Sequence, residues 1–495
     1  MDLLRGMVAL DCGNSSFRMI YGEYKNNKIE STTIAQFPNY LVKIGEYYYW
    51  DFLRIFYDFK MTLKELVVSG RKIDSIGICT WGVDFALFDK DGNMLSNPLG
   101  YRNIIGEKEL SLLTKEDKKH LFYETGILCD KINSVYMLSG MNKIFPSIMS
   151  QADKCLLVPD VFNYFLTGIM VNEPSELSTT QLFSSKTRSI NENVCKKFGI
   201  SPGLFGSIGV HGEKIGNVKC DILEEIGADY DIPVICVPSH DTASAVAAIP
   251  VKEKNFGFIS SGTWSLIGTE LDEPIINDEI INANLTNEVG AFGKITLLKN
   301  CPGMFIVNQL KKEFAFYRKQ EVTWDEISNL TDHVERDVFI DLDDSAFFNP
   351  SSMSDAIWHY LSDTLQVAGE KDWAIIFKAF YESLACCYAA TIQDIEKSTG
   401  VELEKIYIVG GGTASKVLLN LTSEYLGKSI IVCHGESTSL GNLAVQLKYF
   451  YPKISLTEIR EIIAKSYETK EIKSNTGEGS DVLIKYKKIL KERDR

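Results

Sequence analysis

Short apolar runs alternate with longer stretches of helical spacing along most of this chain. Residues 7–10, 73–79 and 234–237 are compact apolar runs of strand length, and each is followed by polar residues. Residues 51–69 carry apolar side chains at helical spacing, and residues 375–398 form a longer and strongly apolar helical pattern. Short strands that alternate with helices are typical of α/β proteins, so the pattern predicts an α/β fold.

The first apolar run opens a hairpin. A polar turn at residues 11–16 follows it, a second apolar run occupies 17–21, and a third strand at 28–37 comes after Asn26-Asn27. Asn tolerates the positive φ of tight hairpin turns, so the Asn pair predicts the second turn. A polar turn between two strands differs from a P-loop, in which a glycine-rich turn leads into a helix.

The same opening pattern returns about halfway along the chain. A strand at 256–259, a polar turn at 260–263 and a strand at 264–267 repeat the first unit. This repeat predicts an internal duplication, and a chain of 495 residues is too long for one core. We therefore expect domains at 1–248 and 249–450, followed by a helical surface tail at 451–495. Two such turns facing each other across a cleft would offer backbone N–H groups to a polyphosphate.

Three further segments carry local predictions. A triple glycine, Gly410 to Gly412, separates a strand from a helix that begins near Lys416, and such a loop lets the backbone approach a ligand closely. Residues 173–190 are rich in Ser and Thr and are predicted to be an ordered loop. Pro302 is placed at the start of a helix that runs to about Phe316.

Composition narrows the class of protein. The hydrophobic fraction of 45% is ordinary for a globular chain, and the net charge of -14 argues against non-specific nucleic-acid binding. The 11 cysteines are scattered without a Cys-x-x-Cys pair, which favours a reducing, cytoplasmic location. Charged residues interrupt the first apolar stretch, so we expect no signal peptide, and no apolar run is expected to span a membrane.

The most informative stretch is residues 238–246, which follows the apolar run at 234–237 and opens a small-residue helix. Asp241, with His240 and Thr242 beside it, stands at this helix start. A carboxylate at a strand end can accept a proton from an alcohol in a cleft. The alternative interpretation is that Asp241 only caps the helix.

A second candidate segment follows the strand at 73–79. Trp81, Gly82 and Asp84 could form a sugar platform, with the indole ring on C–H groups and the carboxylate bonded to hydroxyls. The alternative is a core Trp beside a turn glycine.

The order and spacing of these segments resemble the FGGY family of carbohydrate kinases. The match covers roughly residues 7 to 447 and rests on residues 74–78, 80–85, 101–102, 239–246, 260–266, 286–288, 298–300, 409–412 and 440–442. The resemblance implies two duplicated ribonuclease H-like (actin-like ATPase) domains with a cleft between them. It also implies ATP, Mg²⁺ and a small ketose as partners, with no nucleic acid or membrane, in a monomer or homodimer.

The resemblance also implies roles for individual residues. Asp241 matches the catalytic base, and Asp11 is the carboxylate expected to hold Mg²⁺. The expected sugar contacts are Gly82, His240, Thr242 and Asn300, joined by Trp81 and Asp84 from their position. The expected phosphate and nucleotide contacts are Asn14, Ser15, Ser16, Phe17, Arg18, Thr263, Asn308, Gly410, Gly411 and Gly412.

Within the family, the match is strongest to members that phosphorylate L-rhamnulose at O1. Another ketose, such as L-fuculose or L-xylulose, is the alternative substrate. The chain departs from the family pattern at Phe17, Asn308 and Ser415, and in the segment 301–304. These departures motivate a degenerate sugar binder as an alternative, and the duplicated fold also serves actin-like nucleotide switches.

Overall fold

The computed structural model describes residues 4–335, 337–348, 350–466, 468–474 and 479–493. The elements up to residue 250 are, in chain order, β1 (Arg5–Cys12), β2 (Ser16–Lys25), β3 (Lys28–Pro38), β4 (Leu41–Ile44), β5 (Tyr47–Trp50), α1 (Phe52–Val68), β6 (Ser75–Thr80), β7 (Phe85–Phe88), α2 (Ile104–Ser111), α3 (Lys115–Thr125), α4 (Ser134–Ile144), α5 (Pro146–Met149), β8 (Lys154–Leu157), α6 (Val158–Thr167), β9 (Val171–Asn172), α7 (Pro174–Thr179), β10 (Phe183–Ser184), β11 (Ser189–Ile190), α8 (Glu192–Lys197), β12 (Ser207–Ile208), β13 (Lys214–Asn217), α9 (Cys220–Ile226), β14 (Pro233–Ile235) and α10 (Asp241–Ala247).

The remaining elements are β15 (Phe256–Ser261), β16 (Trp264–Leu271), α11 (Asp278–Asn282), β17 (Thr286–Val289), β18 (Ile295–Pro302), α12 (Met304–Arg318), α13 (Trp324–Asp332), α14 (Met353–Asp363), α15 (Trp373–Thr399), β19 (Lys405–Val409), α16 (Lys416–Leu426), β20 (Ile430–His434), α17 (Ser437–Phe450), α18 (Leu456–Ser466), β21 (Glu468–Ile472) and α19 (Gly479–Arg493). Short 3₁₀ helices occur at Pro202–Leu204, Ala291–Gly293, Ser345–Phe347 and Gly411–Ala414.

The chain forms two compact units, and each unit consists of three segments that are separated in the sequence. Unit 1 comprises Met1–Pro250, Glu270–Leu297 and Glu436–Tyr467, and unit 2 comprises Val251–Thr269, Leu298–Gly435 and Glu468–Arg495. Helices α17 and α18 therefore belong to unit 1, although they come late in the chain. The division of the sequence after residues 248 and 450 stays a prediction.

The main sheet of unit 1 has the strand order β13-β14-β6-β1-β2-β3. Strands β1, β2 and β3 form an antiparallel meander, whereas β6 runs parallel to both β1 and β14. The turn between β2 and β3 is the predicted Asn pair, with φ of 55° at Asn26 and 56° at Asn27. This confirms the hairpin, because two successive left-handed residues match the twist of the flanking strands.

Strand β1 is buried on both faces, which explains its uninterrupted apolar sequence. Its alternate residues point to opposite sides of the sheet. Val8 and Leu10 belong to the core that contains α1 and α6, with an aromatic cluster around Phe162. Met7 and Ala9 belong to a second core formed with Leu443, Leu447, Ile459 and Ile463 of α17 and α18.

The sheet of unit 2 repeats the plan of the first. Its strands follow the order β18-β16-β15-β19-β20-β21, with β15 antiparallel to β16 and parallel to β19. Strand β20 is parallel to β19, as β14 is parallel to β6 in unit 1. In each unit an antiparallel hairpin is thus extended by two parallel strands beside its first strand, as the predicted duplication requires.

Several local predictions differ from the structure. Pro302 ends strand β18, and the helix begins only at Met304, after Gly303. The region predicted as a loop at 173–190 contains helix α7, since Glu173 caps its N-terminus and Pro174 occupies its first turn.

The C-terminal region is also more integrated than a helical surface tail. Strand β21 pairs antiparallel with β20, and Ile459 and Ile463 of α18 are fully buried. These residues add an edge strand to unit 2 and core side chains to unit 1.

Helix α15 corrects the expectation that no apolar run reaches the length of a membrane span. Its 27 residues have the length and the apolar composition of a membrane-spanning helix. However, 83% of its most apolar stretch is buried in the protein, as is usual for a core helix.

We expect Gly441→Ala in α17 to destabilise the protein by about 3 kcal/mol, because a Cβ there would lie 1.9 Å from the Ser244 carbonyl oxygen of α10. Both helices would have to separate. The measurement is the free energy of unfolding in urea. Gly203→Ala is the control, since the nearest neighbour of its Cβ would be the Ser201 hydroxyl at 3.4 Å. Equal stability of the two variants would contradict the close crossing of α10 and α17.

Candidate active site

Three parallel strands of unit 1 bring polar residues to one edge of the sheet. Asp11 lies near the end of β1, Thr80 ends β6, and Ser239 follows β14. The Thr80 N–H donates to the Ser239 carbonyl oxygen at 2.8 Å, which joins two of these strand ends. Ligand sites of α/β sheets commonly lie at the carboxyl ends of parallel strands, so this edge is the candidate site.

Asp241 is the first residue of α10, and its side chain is 36% exposed. Its neighbours His240 and Thr242 are buried, at 9% and 3% exposure. The Thr242 hydroxyl donates to Asp241 Oδ1 at 3.2 Å. The positive end of the helix dipole favours the ionised carboxylate. Asp241 therefore combines a negative charge with the access to solvent that a proton acceptor needs.

His240 lies between two carboxylates. Its Nδ1 is 3.2 Å from Glu288 Oε2 and its Nε2 is 3.5 Å from Asp241 Oδ1. Burial lowers the pKa of His240, but the hydrogen bond and charge of Glu288, with the charges of Asp241 and Glu173, raise it overall to about 9.

Helix α7 supports this segment from behind. The His240 backbone N–H donates to Ser175 Oγ at 3.1 Å, and Ser175 Oγ donates to Glu173 Oε2 at 2.6 Å. His211 Nε2 lies 2.5 Å from Glu173 Oε1, while His211 Nδ1 accepts the Phe292 N–H. This helix lies in the segment predicted as a loop, although Pro at a first helical position is a recognised helix-start signal.

The segment after β6 packs on the same helix. A Cβ at Gly82 would lie 2.9 Å from the Thr179 side chain, so only glycine allows this approach. The next residue, Val83, has a φ of 72°, which is strained for a β-branched residue, and its N–H donates to Thr179 Oγ1 at 3.0 Å. Strain of this kind is commonly found at functional sites.

Trp81 and Asp84 are more deeply placed than a sugar platform requires. Asp84 is 2% exposed, and its Oδ2 accepts the indole N–H groups of Trp50 at 2.6 Å and Trp81 at 2.9 Å. The two indole rings lie 4.3 Å apart. Burial raises the pKa of Asp84 to about 7, although the two indole hydrogen bonds oppose the rise. The geometry is that of the core alternative, and the sugar contacts of both residues stay a prediction.

Asp11 is buried and paired with Arg18, whose guanidinium lies 2.8 Å from Asp11 Oδ2 and also contacts Glu436. Ser439 of α17 donates to the same carboxylate at 3.4 Å. Burial raises the pKa of Asp11 to about 6, Arg18 opposes the rise, and the charges of Asp241 and Glu436 add to it. Two carboxylates, those of Asp11 and Glu436, thus contact one guanidinium at this edge.

This donor set is compatible with Mg²⁺ held partly by water. No group of three or more His, Cys, Asp or Glu side chains arranged to hold a metal was found among the described residues. Mg²⁺ generally keeps several waters and uses one or two carboxylates together with substrate phosphates. The excess negative charge around Asp11 suits such a cation, with water between the ion and the protein.

The turn between β1 and β2 contains the other predicted phosphate contacts of unit 1. Ser15 is exposed, Ser16 is half-buried, and the Asn14 amide contacts the Tyr101 hydroxyl. Phe17 differs, because its ring is 1% exposed and stacks on Phe37 with centroids 5.1 Å apart. Its side chain is a core group, and only its backbone is suited to a phosphate.

Unit 2 carries the remaining predicted residues on its own first hairpin and glycine loop. Thr263 is exposed in the turn between β15 and β16, and its carbonyl oxygen accepts the Gly303 N–H at 3.2 Å, near the start of α12. Asn300 is half-buried near the end of β18, and Asn308 is exposed on α12.

The three glycines at 410–412 have distinct structural reasons. Gly410 has a φ of 87°, and Cβ atoms at Gly410 and Gly412 would lie 2.8 Å and 2.0 Å from Ser261 atoms. A Cβ at Gly411 would meet nothing within 4 Å. The outer glycines therefore permit close packing on β15, while Gly411 leaves an open backbone surface for a ligand.

Comparisons with known proteins find similar domains and similar whole chains. Residues 6–248 match the N-terminal domain, and residues 257–448 the C-terminal domain, of the FGGY family of carbohydrate kinases. The chain is 34% identical over 469 residues to a rhamnulokinase of Bacteroides thetaiotaomicron, covering 94% of this chain and 95% of the relative. It is 32% identical to a rhamnulokinase of Oceanobacillus iheyensis over 473 residues, covering 95% of this chain and 99% of that protein.

Solved structures of other kinases are similar to this chain in fold. A gluconate kinase from Lactobacillus acidophilus superposes with a TM-score of 0.79 at 15% identity, covering 99% of this chain and 97% of that one. This similarity confirms the predicted actin-like ATPase fold.

The burial of Asp84 generates a pH prediction. Because its pKa is about 7 in the folded protein and 3.8 ordinarily, its contribution to stability is fully present below pH 4 and is lost as the pH rises through 7. The loss between pH 5 and 8 is about 2–3 kcal/mol. We expect Asp84→Asn to lack this loss when unfolding in urea is measured across that range. The exposed Asp91→Asn should keep the parent pH dependence, and the same dependence in Asp84→Asn would contradict the assignment.

Proposed function

The chain belongs to the FGGY family of carbohydrate kinases and is an ATP-dependent sugar kinase, and we propose that its substrate is L-rhamnulose. The reaction would transfer the γ-phosphate of ATP to the 1-hydroxyl, giving L-rhamnulose 1-phosphate and ADP. The observation that carries the proposal is Asp241, a half-exposed carboxylate at a helix start in a chain that matches rhamnulokinases over nearly its whole length.

Asp241 is proposed as the general base. It takes the proton of the 1-hydroxyl as that oxygen attacks the γ-phosphorus, and the bond from phosphorus to the β-phosphate oxygen of ATP breaks. Phosphoryl transfer depends mainly on positioning and charge stabilisation, and the base contributes by aligning the nucleophile.

Sugar binding is proposed for residues beside that base in unit 1 and for one residue of unit 2. Gly82 is proposed to contact the sugar, and Thr242 and His240 flank the carboxylate. Asn300, on the C-terminal part of β18, is proposed as a further contact. Trp81 and Asp84 are proposed to shape the sugar pocket from behind, since their polar atoms already bond to each other.

ATP binding is assigned to the two hairpin turns and the glycine loop. Asn14, Ser15, Ser16, Arg18 and the Phe17 backbone are proposed phosphate contacts in unit 1, with Thr263 in unit 2. Gly411, between Gly410 and Gly412, offers the open backbone surface for the nucleotide, and Asn308 is the proposed contact on α12.

Mg²⁺ is proposed to be held near Asp11 through water. When bound, this ion neutralises charge on the transferring phosphate. Arg18 already pairs with Asp11 in the protein and would share the same task from the side of the guanidinium. A cytoplasmic location and a monomeric or dimeric state stay predictions.

We expect Asp241→Asn to keep the fold and the binding of sugar but to lower kcat by about 10²–10⁴, the usual contribution of a general base. The measurements are the rate of ADP release with saturating Mg-ATP and ketose, and the thermal unfolding midpoint. Asp231→Asn, an exposed carboxylate just before β14, is the matched control and should turn over normally. Near-normal turnover by folded Asp241→Asn would remove this residue from the role of base.

The substrate is tested by ADP release with L-rhamnulose, L-fuculose, L-xylulose, D-xylulose and glycerol. We expect kcat/KM for L-rhamnulose to exceed the others by about tenfold or more, because a buried polar site discriminates against misplaced hydroxyls. Preference for another ketose would support kinase activity but would contradict L-rhamnulose as the substrate. ATP binding with no turnover of any of these compounds would favour a nucleotide switch or a degenerate sugar binder.

A further inference from the structure

Glu288, on strand β17, faces the His240 side chain. The Glu288 side chain is 10% exposed, and the His240 side chain is 11% exposed. The His240 ring bridges Glu288 and Asp241 through its two nitrogens, at 3.2 Å and 3.5 Å. Both nitrogens of a protonated imidazole are hydrogen-bond donors, so a protonated ring between two carboxylates can interact with each of them.

The charged groups around the ring favour its protonated form. Glu288 faces it from β17, Asp241 from α10, and Glu173 from the start of α7. These acidic groups raise the pKa of His240 to about 9 against the opposing effect of burial. Glu176 of α7 lies near Asp241 and Glu288, and burial, with the charges of these neighbouring carboxylates, raises its pKa well above the ordinary value.

We propose that Glu288 is a positioning residue that keeps His240 as an imidazolium, and that this imidazolium orients the Asp241 carboxylate toward the sugar hydroxyl. The proposal rests on the proposed function, because it takes Asp241 as the base. It assigns His240 primarily to Asp241, since its two ring nitrogens lie 3.2 Å and 3.5 Å from carboxylate oxygens. The backbone N–H of His240 donates to Ser175 Oγ, and this hydrogen bond fixes the backbone that carries the ring.

The proposed role of Glu288 and His240 does not change the proton balance of the reaction. The proton of the sugar hydroxyl goes to Asp241, and the imidazolium keeps both of its protons throughout. Its contribution is a fixed positive charge beside the base, which favours the ionised carboxylate and restricts its rotation. Loss of the imidazolium proton would release that carboxylate, so turnover should fall at high pH.

The ion pair is tested directly by NMR titration of the full chain labelled with [¹³C]His. The sequence has 6 His residues, and His240→Asn identifies the signal of His240 by its disappearance. In the parent protein we expect the midpoint of this signal near pH 9. In Glu288→Gln it should fall by about 1–3 pH units, because a neutral amide replaces the facing carboxylate. Glu288→Asp should retain much of the shift, and the exposed Glu279→Gln should leave the midpoint unchanged.

The catalytic consequence is tested by pH profiles of kcat with saturating Mg-ATP and ketose. In Glu288→Gln the alkaline limb should move to lower pH with the NMR midpoint, and kcat at pH 8 should fall about tenfold or more while KM changes little. Activity should recover toward pH 6, where the ring regains its proton. In a His240→Asn background, Glu288→Gln should have no further effect on the profile.

An unmoved His240 midpoint in Glu288→Gln would overturn the inference, whether or not the chain phosphorylates a ketose. A shifted midpoint with an unshifted alkaline limb would overturn the role of the pair in turnover. Absence of ketose-dependent ADP release by the parent protein, together with a shifted midpoint, would instead overturn the proposed function and support the ion pair. The two failures are therefore separate.

Discussion

The parallel pairing of β1 with β6, and of β6 with β14, is the constraint on which the chemistry of unit 1 depends. Asp11, the Trp81–Asp84 segment and Asp241 are far apart in sequence and come together because three strands end at the same edge. Helix α17 packs against β1 and β6 of this sheet. Ser75 Oγ and the Val8 carbonyl both bond to Gln446, so two of the strands are tied to one side chain.

Buried charge is the energetic cost of this arrangement. A charge removed from water is tolerated when it is paired and its remaining hydrogen-bonding groups are satisfied. Glu173 is 1% exposed and meets this requirement through His211, the Ser175 side chain and two backbone N–H groups of α7. Asp11 meets it through Arg18, and His240 through Glu288. Asp241 alone among these groups keeps substantial access to solvent, which is the property that distinguishes it chemically.

In unit 2, a buried hydroxyl and closely packed glycines shape the first hairpin and the glycine loop. Tyr388 is fully buried and its hydroxyl contacts Ser261 at 3.0 Å and Ser265 at 2.6 Å, which ties the two arms of the first hairpin together. The glycine loop then packs on Ser261, where a side chain at Gly412 would collide with it. The result is a rigid base beneath Gly411, whose own surface is open.

The sequence by itself determined the elements with strong periodicity or turn chemistry. Strand β19, helix α16 and the Asn26-Asn27 turn depend on local apolar spacing and on residues that tolerate special backbone angles, so they could be predicted. The duplication and the family could also be predicted from the sequence, since both depend on the order of motifs along the chain. Tertiary structure decided which residues share a site. Glu288, Glu173 and Ser439 reach it from segments distant in sequence, and Asp84 is oriented by Trp50, because side-chain pairing depends on packing between elements and leaves no periodic trace in the chain.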